Sequence, residues 1–350
     1  MPVESGAVKA RLSDIAAQAG VSEATVSRVL NGKSGVSEAT RDAVLTALDL
    51  LGGERPARLR QRRLGLIGLI IPELENPIFP MFAQMIEREL TQAGYTTILC
   101  TQWPGGTTED DYVELLLERA ISGIVFVSGL HADATADHSR YSKLVVQRLP
   151  IVLVNGVAPE VDAPFISSDD GIAAELAVAH LASLGHRRIG LAVGPERFYP
   201  AQRKAAGFRR AMQRLGSDAL INHSLYSVEG GYASAGQLLD AGVTAIVCGS
   251  DLMALGAVRV ARQRGIAVPD DVSIVGYDDS PLMAFTDPPL TTVRQPVAAM
   301  CRAAVGALLD EIAGVPVPRT EFLFRPELVV RSSTGPVPTA RSSGRSATRA

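Results

Sequence analysis

The sequence predicts an all-α helix-turn-helix headpiece followed by an α/β region of two Rossmann-like lobes. Three observations lead there. Residues 12–51 place apolar side chains at helical spacing, with glycine at the breaks. From Leu64 onward, short apolar runs alternate with amphipathic stretches, the pattern of parallel sheets covered on both faces. That alternating region runs to about 265 residues, long for one such sheet and suited to two.

In the headpiece, Leu12, Ile15, Ala16 and Ala19 fall on one helix face, and Gly20 ends that helix. Ser22 is placed to cap a second helix, whose Val26, Val29 and Leu30 point together while Glu23, Ala24, Ser27 and Arg28 lie elsewhere. Asn31 and Gly32 stop it, and Ser37 opens a third helix with Val44, Ala47, Leu48 and Leu51 as its core face. Two short helices around a tight glycine turn are what a helix-turn-helix needs to set its second helix in a major groove. Charge agrees. Residues 1–63 carry ten Lys and Arg against seven acids, net +3, which leaves −6 for the rest of a 350-residue chain of net charge −3. A basic head on an acidic body fits a polyanion partner for the head alone.

The run from Leu12 to Asn31 (LSDIAAQAGVSEATVSRVLN), continued by VSEATR from Val36 to Arg41, closely resembles the headpiece of the LacI/GalR family of bacterial transcription regulators. The resemblance implies base-reading positions for Glu23, Ala24 and Arg28, and phosphate-facing ones for Ser22, Thr25, Ser27 and Asn31; Leu12 joins the DNA-contacting set. The chemistry fits: Arg can grip guanine O6 and N7 with two bonds, and short hydroxyl and amide groups suit phosphate oxygens. Glu23 has two readings, an acceptor for cytosine N4 or a carboxylate favoured by the helix dipole. The family places Thr where Arg11 stands, so Ser13 is expected to cap the first helix, with a slightly shifted start.

The family's hinge folds on operator DNA and wedges a leucine into the minor groove. The corresponding stretch, GGERPARLRQRRL from Gly52 to Leu64, lacks the usual Tyr and Asn and is about one helical turn short of the pattern. Leu59 is the candidate wedge and Arg58 a phosphate contact, the alternative being a flexible basic linker.

The body is read as strands at 66–71, 96–101, 123–127, 151–154, 189–193, 245–248 and 272–276. Helices are read at 79–93, 110–120, 170–184, 201–215, 231–241, 252–264 and 296–313. It resembles the same family's effector domain, related to periplasmic sugar-binding proteins, nearly to Ser332. The match is carried by GLIIPELENP from Gly68, HLASLGHRRI from His180, SDLMALG from Ser250, VPDDVSIVGYDD from Val268 and PLTTVRQP from Pro289. Lobe crossings are expected there and near residues 163–168 and 322–326. Ligands in such folds bind at strand C-termini between lobes. The resemblance assigns effector contact to Asn76, Phe79, Asn155, Lys204, Tyr226, Ser250 and Asp278. For Asn76 and Asp278 the competing reading is a helix cap and a turn former, and for Phe79 and Tyr226 it is core packing. Lys204 stands where the family has a clamping Arg and brings a point charge without the planar fork; Arg203 beside it is the alternative.

These readings divide the chain into a headpiece at 1–51, a hinge at 52–64, a two-lobe effector and dimerisation domain at 65–331 and a disordered tail at 332–350, rich in Ser, Thr, Pro, Gly and Arg. No run approaches the roughly 20 apolar residues of a membrane helix, and residues 1–10 do not read as a secretory signal. Cys100, Cys248 and Cys301 are odd in number and far apart, which points to buried thiols in the cytoplasm. No Gly-x-Ser-x-Gly, glycine-rich phosphate loop or His-Glu-x-x-His is present. His131 and His138 read as loop residues and His186 as structural, so no enzyme, metal or cofactor is expected. No leucine heptad follows the body, and pseudo-palindromic operators imply a homodimer. The resemblance thus implies a sequence-specific transcription regulator, read as a repressor of double-stranded operator DNA under control of a sugar-like small molecule. The alternatives are an activator, or a solute-binding transport-type protein, which would need a secretory signal where this chain has a helix-turn-helix.

Overall fold

The computed structural model describes residues 11–33, 35–53, 64–102 and 105–337. Arg58 and Leu59 lie outside the described residues. The chain divides after Leu64 into two compact units.

The first unit holds α1 (Leu12–Ala19), α2 (Glu23–Leu30) and α3 (Glu38–Leu50). Gly20 sits at φ 65°, ψ 32°, a left-handed conformation that costs glycine nothing, and turns the chain between α1 and α2. The Ser22 and Ser37 hydroxyls each accept an amide two residues into the helix they open, both at 3.2 Å. Ile15, Ala16, Val26, Val29, Val44, Ala47 and Leu48 form the core.

Two expectations fail here. Ser13 does not cap α1: the cap position is Arg11, which makes no side-chain bond, and the Ser13 hydroxyl reaches only Asp14 at 3.4 Å. As the second helical residue, Ser13 carries one of the amides that a cap would serve. Leu51 is not in the core but 37% exposed, because α3 ends at Leu50 and the chain leaves the helical path that would have returned it to the buried stripe.

The second unit contains two six-stranded sheets. The first is built from β1 (Leu66–Ile71), β2 (Thr96–Thr101), β3 (Gly123–Val127), β4 (Ile151–Val154), β5 (Phe165–Ser168) and β11 (Glu321–Phe324), in the order β11-β5-β4-β3-β1-β2, all parallel. The second is built from β6 (Ile189–Val193), β7 (Leu220–His223), β8 (Ala245–Cys248), β9 (Ser273–Asp278), β10 (Thr291–Arg294) and β12 (Glu327–Val329), in the order β12-β10-β9-β8-β6-β7. Only β12 runs antiparallel to its neighbour.

Helices cover both faces of each sheet. On the first, α4 (Ile78–Gln92) and α11 (Val297–Ile312) pack on Leu69 and Val125, while α5 (Glu109–Glu118) and α6 (Ser139–Val146) pack on Ile70 and Phe126. On the second, α7 (Asp170–Ser183) and α8 (Tyr199–Arg214) take one face, and α9 (Val228–Asp240) and α10 (Asp251–Gln263) the other. Strands buried on both sides are apolar throughout, which is why they stand out as runs in the sequence. The chain passes between lobes after β5, between β10 and α11, and between β11 and β12, at the three expected places. All three cysteines are buried free thiols. Among the described residues no helix is long and apolar enough to cross a membrane.

The tail read as disordered from Ser332 is ordered through residue 337. Ser333 is fully buried; its hydroxyl accepts the Thr291 amide at 2.8 Å and donates to the Ile274 carbonyl at 2.6 Å, and the Val337 amide reaches the Leu184 carbonyl at 2.9 Å. Its composition is loop-like, but its polar groups complete those of β9 and β10, so this segment behaves as part of the sheet edge.

His186 is buried among Thr244, Ser273 and Gly335, as a structural residue should be. His131 and His138 are not open loop residues. Both are buried, His131 in a one-turn helix at Leu130–Ala132 and His138 just before α6. Desolvation, outweighing its bond to the Val154 carbonyl, holds His131 down at about 4. The unfolded chain therefore binds a proton between about pH 6.5 and 4 that the folded chain does not, and stability falls as pH falls through that window, by about 3 kcal/mol in full. His131→Gln lacks this penalty. In calorimetry from pH 7 to 5, the difference in melting temperature should move steadily in favour of the variant; a constant difference would mean that His131 takes up its proton as readily in the folded chain as in the unfolded one.

Candidate functional site

On the headpiece, α2 turns Val26 and Val29 into the core and leaves Glu23, Ala24 and Arg28 exposed. The Ser22 hydroxyl also meets Thr25 Oγ1 at 2.9 Å, and the Asn31 amide donates to Ser27 Oγ at 3.2 Å. These bonds fix the rotamers of four small polar side chains, one pair at the start of α2 and one toward its end. Leu12 is 42% exposed, out of the core its periodicity assigned it to and open to a partner.

In the body, a cavity of about 220 Å³ opens between the lobes at the C-terminal ends of the strands. All seven sequence-derived effector positions line it: Asn76, Phe79, Asn155, Lys204, Tyr226, Ser250 and Asp278. Sequence reasoning missed Glu73, Asp170, Phe198, Tyr277 and Gln295.

A hydrogen-bonded relay joins the lobes at this cavity. Asn155, at φ 58° just past β4, donates to Gln295 Oε1 at 3.3 Å, and Gln295 donates to Asp278 Oδ1 at 2.7 Å. Asp278 closes β9 at φ 117°, a conformation rare for a residue with a side chain, which marks a strained and held position. Desolvation first, and the neighbouring Asp251 second, hold its carboxyl well above the usual range. Asp251, which accepts from Thr292 at 2.6 Å and the Ser280 amide at 2.7 Å, is itself raised to about 6 by burial.

The remaining positions also have defined partners. Ser250 caps α10 through the Met253 amide at 3.2 Å. Asn76 Oδ1 makes a long 3.4 Å contact to the Ile78 amide, so capping occupies it weakly while it faces the cavity. The Tyr226 ring lies against Gly194, where a Cβ would fall 1.9 Å from it, so glycine is required there; its hydroxyl is buried without a well-formed bond. Lys204 pairs with Asp170, with its ammonium 3.8 Å from the Tyr277 ring centroid. Arg203, the other candidate clamp, instead grips Glu321 with two bonds of 2.6 and 2.7 Å and is not part of the lining.

Beside Phe198 and Ala132 of the lining, the lobes are tied a second time. Arg197 Nε donates to Asp133 Oδ2 at 2.8 Å, and the Ala134 amide donates to the Arg197 carbonyl at 2.8 Å. This tie follows β3 and β6, whereas the crossings run through β5, β10, β11 and β12 at the other side of each sheet.

A helix-turn-helix unit followed by two parallel-sheet lobes around a cavity lined by aromatic and polar side chains defines a DNA-binding transcription regulator with an effector domain. Residues 11–52 match the family described as bacterial regulatory proteins, lacI family, and residues 178–334 match the periplasmic binding protein-like domain. The HTH-type transcriptional regulator MalR of Streptomyces coelicolor is 62% identical over 338 residues, which cover 95% of this chain and 98% of that protein. Among solved structures, a complex of the transcriptional regulator CelR with cellobiose aligns at TM-score 0.69 and 30% identity, over 93% of this chain and 100% of its own. The lac repressor dimer bound to operator and the anti-inducer ONPF aligns at TM-score 0.68 and 28% identity, over 94% and 100%. The chain belongs to the LacI family of bacterial regulatory proteins.

Proposed function

We propose that this regulator is a cytoplasmic repressor that binds operator DNA as a homodimer and changes its affinity when a sugar-like ligand occupies the interlobe cavity. The Asn155–Gln295–Asp278 relay carries the reading: it puts side chains of both lobes and of a crossing segment on one cavity wall, where a polyhydroxylated ligand can bond to all three. A ligand that favours one lobe arrangement shifts the equilibrium by its differential affinity, and bound DNA must shift ligand affinity by the same factor. No catalytic role is assigned to the cavity. In the headpiece, Glu23, Ala24 and Arg28 would meet base edges, with Ser22, Thr25, Ser27 and Asn31 on phosphates and Leu12 beside them. In the 52–64 hinge, Leu59 would wedge into the minor groove and Arg58 would sit on a phosphate, a reading that rests on sequence alone, and the effector domain would begin at residue 65.

The test is fluorescence anisotropy on a pseudo-palindromic fragment from the protein's own promoter, with cellobiose and ribose as first ligands in a wider neutral-sugar panel. The expected result is specific binding that one sugar weakens. Specific binding that no sugar alters would remove the effector assignment and leave the DNA reading intact.

A further inference from the structure

Four acidic or basic side chains of Asp, Glu and Lys line the cavity: Glu73, Asp170, Lys204 and Asp278. Among the described residues, Lys204 is the one cation of that lining, and it is not free to act as one. Its ammonium bonds Asp170 Oδ1, and both residues are 5% exposed. The Tyr277 hydroxyl donates to the same oxygen at 2.8 Å and holds the carboxylate in place. The face of the Tyr277 ring, 3.8 Å from the ammonium, covers another side of the charge.

A closely paired buried charge presents little net field to a third group. What the pair retains is hydrogen-bonding capacity, since an ammonium has three N–H donors and this one spends one on Asp170. The other acid-base side chains of the wall are carboxyls, Glu73 and Asp278, which can share hydrogen bonds with hydroxyls but offer an anion no positive charge. The rings of Phe79, Phe198 and Tyr226 complete a surface for the C–H faces of an uncharged ligand.

We propose that Asp170 is a specificity-determining residue: by neutralising Lys204 it makes the cavity select uncharged polyhydroxylated ligands and reject their phosphorylated or carboxylated forms. This rests on the interlobe cavity being the effector site. A guanidinium at the same place would keep several donors and its planar fork after pairing. The lysine therefore matters as much for what it withholds as for what it binds.

The experiment compares the full-length wild type, Asp170→Asn and Asp170→Asn/Lys204→Met by thermal unfolding in rising inorganic phosphate, with chloride matched for ionic strength. Phosphate should leave the wild type and the double variant unmoved. It should raise the melting temperature of Asp170→Asn saturably, with an apparent Kd at least tenfold tighter than the wild type's. Asp170→Ser removes the same charge with a smaller side chain and carries the same expectation if the Asn variant does not fold. Saturable stabilisation of the wild type, or none of a folded charge-deleted variant, overturns the proposal. Cellobiose and ribose in the same titrations keep the two ideas apart. Phosphate binding by the wild type defeats the charge argument without touching the sugar reading, and silence from neutral sugars does the reverse.

Discussion

Arg28→Ala should weaken binding to the specific operator about 10- to 100-fold while leaving binding to scrambled DNA nearly unchanged. Arg28 is exposed on α2, whose position is set from behind by Val26 and Val29 and at its start by the Ser22 cap. A guanidinium held on a rigid helix can bond guanine O6 and N7 together, a contact that discriminates by roughly 1–3 kcal/mol. If Arg28 met only phosphate, both DNAs would lose affinity alike and the salt dependence would fall by about one charge. Anisotropy titrations of both fragments at two salt concentrations separate the cases, and equal losses would remove Arg28 from the base-reading set.

Asp278→Ala should abolish the effector response and leave operator affinity within about twofold. It deletes the carboxyl that Gln295 bonds at 2.7 Å and so opens the relay to Asn155. A ligand hydroxyl bonded there would be left buried without its partner, a loss of about 5- to 150-fold in affinity. Folding should suffer less than burial suggests, because Asp278 sits against Asp251 and its removal relieves a like-charge pair. Asp278→Asn can still accept from Gln295 and should lose less. Full release of DNA by effector in the Ala variant would take Asp278 out of the site.

Most of the headpiece is readable from the chain because its information is local. Caps, glycine turns and the stripe of Ile15, Val26, Val29 and Val44 all act within a few residues. Only the ends misled, at Leu12, Ser13 and Leu51, where one residue of helix more or less decides the outcome. The long buried strands are legible for the same reason. The strands β5, β7, β10, β11 and β12 and the helix α6 are not: the strands have three or four residues, several polar, and owe their pairing to distant partners. That gap explains two of the missed site residues, Asp170 after β5 and Gln295 after β10. Asp170 follows β5 and reads as a helix-end carboxylate until β5 is recognised, and its bond to Tyr277 spans 107 positions. Had Phe165–Ser168 been taken as a strand, the strand-end rule, with which the resemblance-derived Asn155 agrees, would also have pointed to Asp170.

The tie between Asp133, Ala134 and Arg197 bears on time as well as on equilibrium. It joins the lobes on the side of the cleft away from the three crossings, so a ligand passing that way must part it both on arrival and on departure. A barrier common to both directions cancels from the dissociation constant and remains in both rates. Residence in the cavity is then longer than affinity alone would give, and the genes under this regulator would keep their last setting for a while after the ligand has gone.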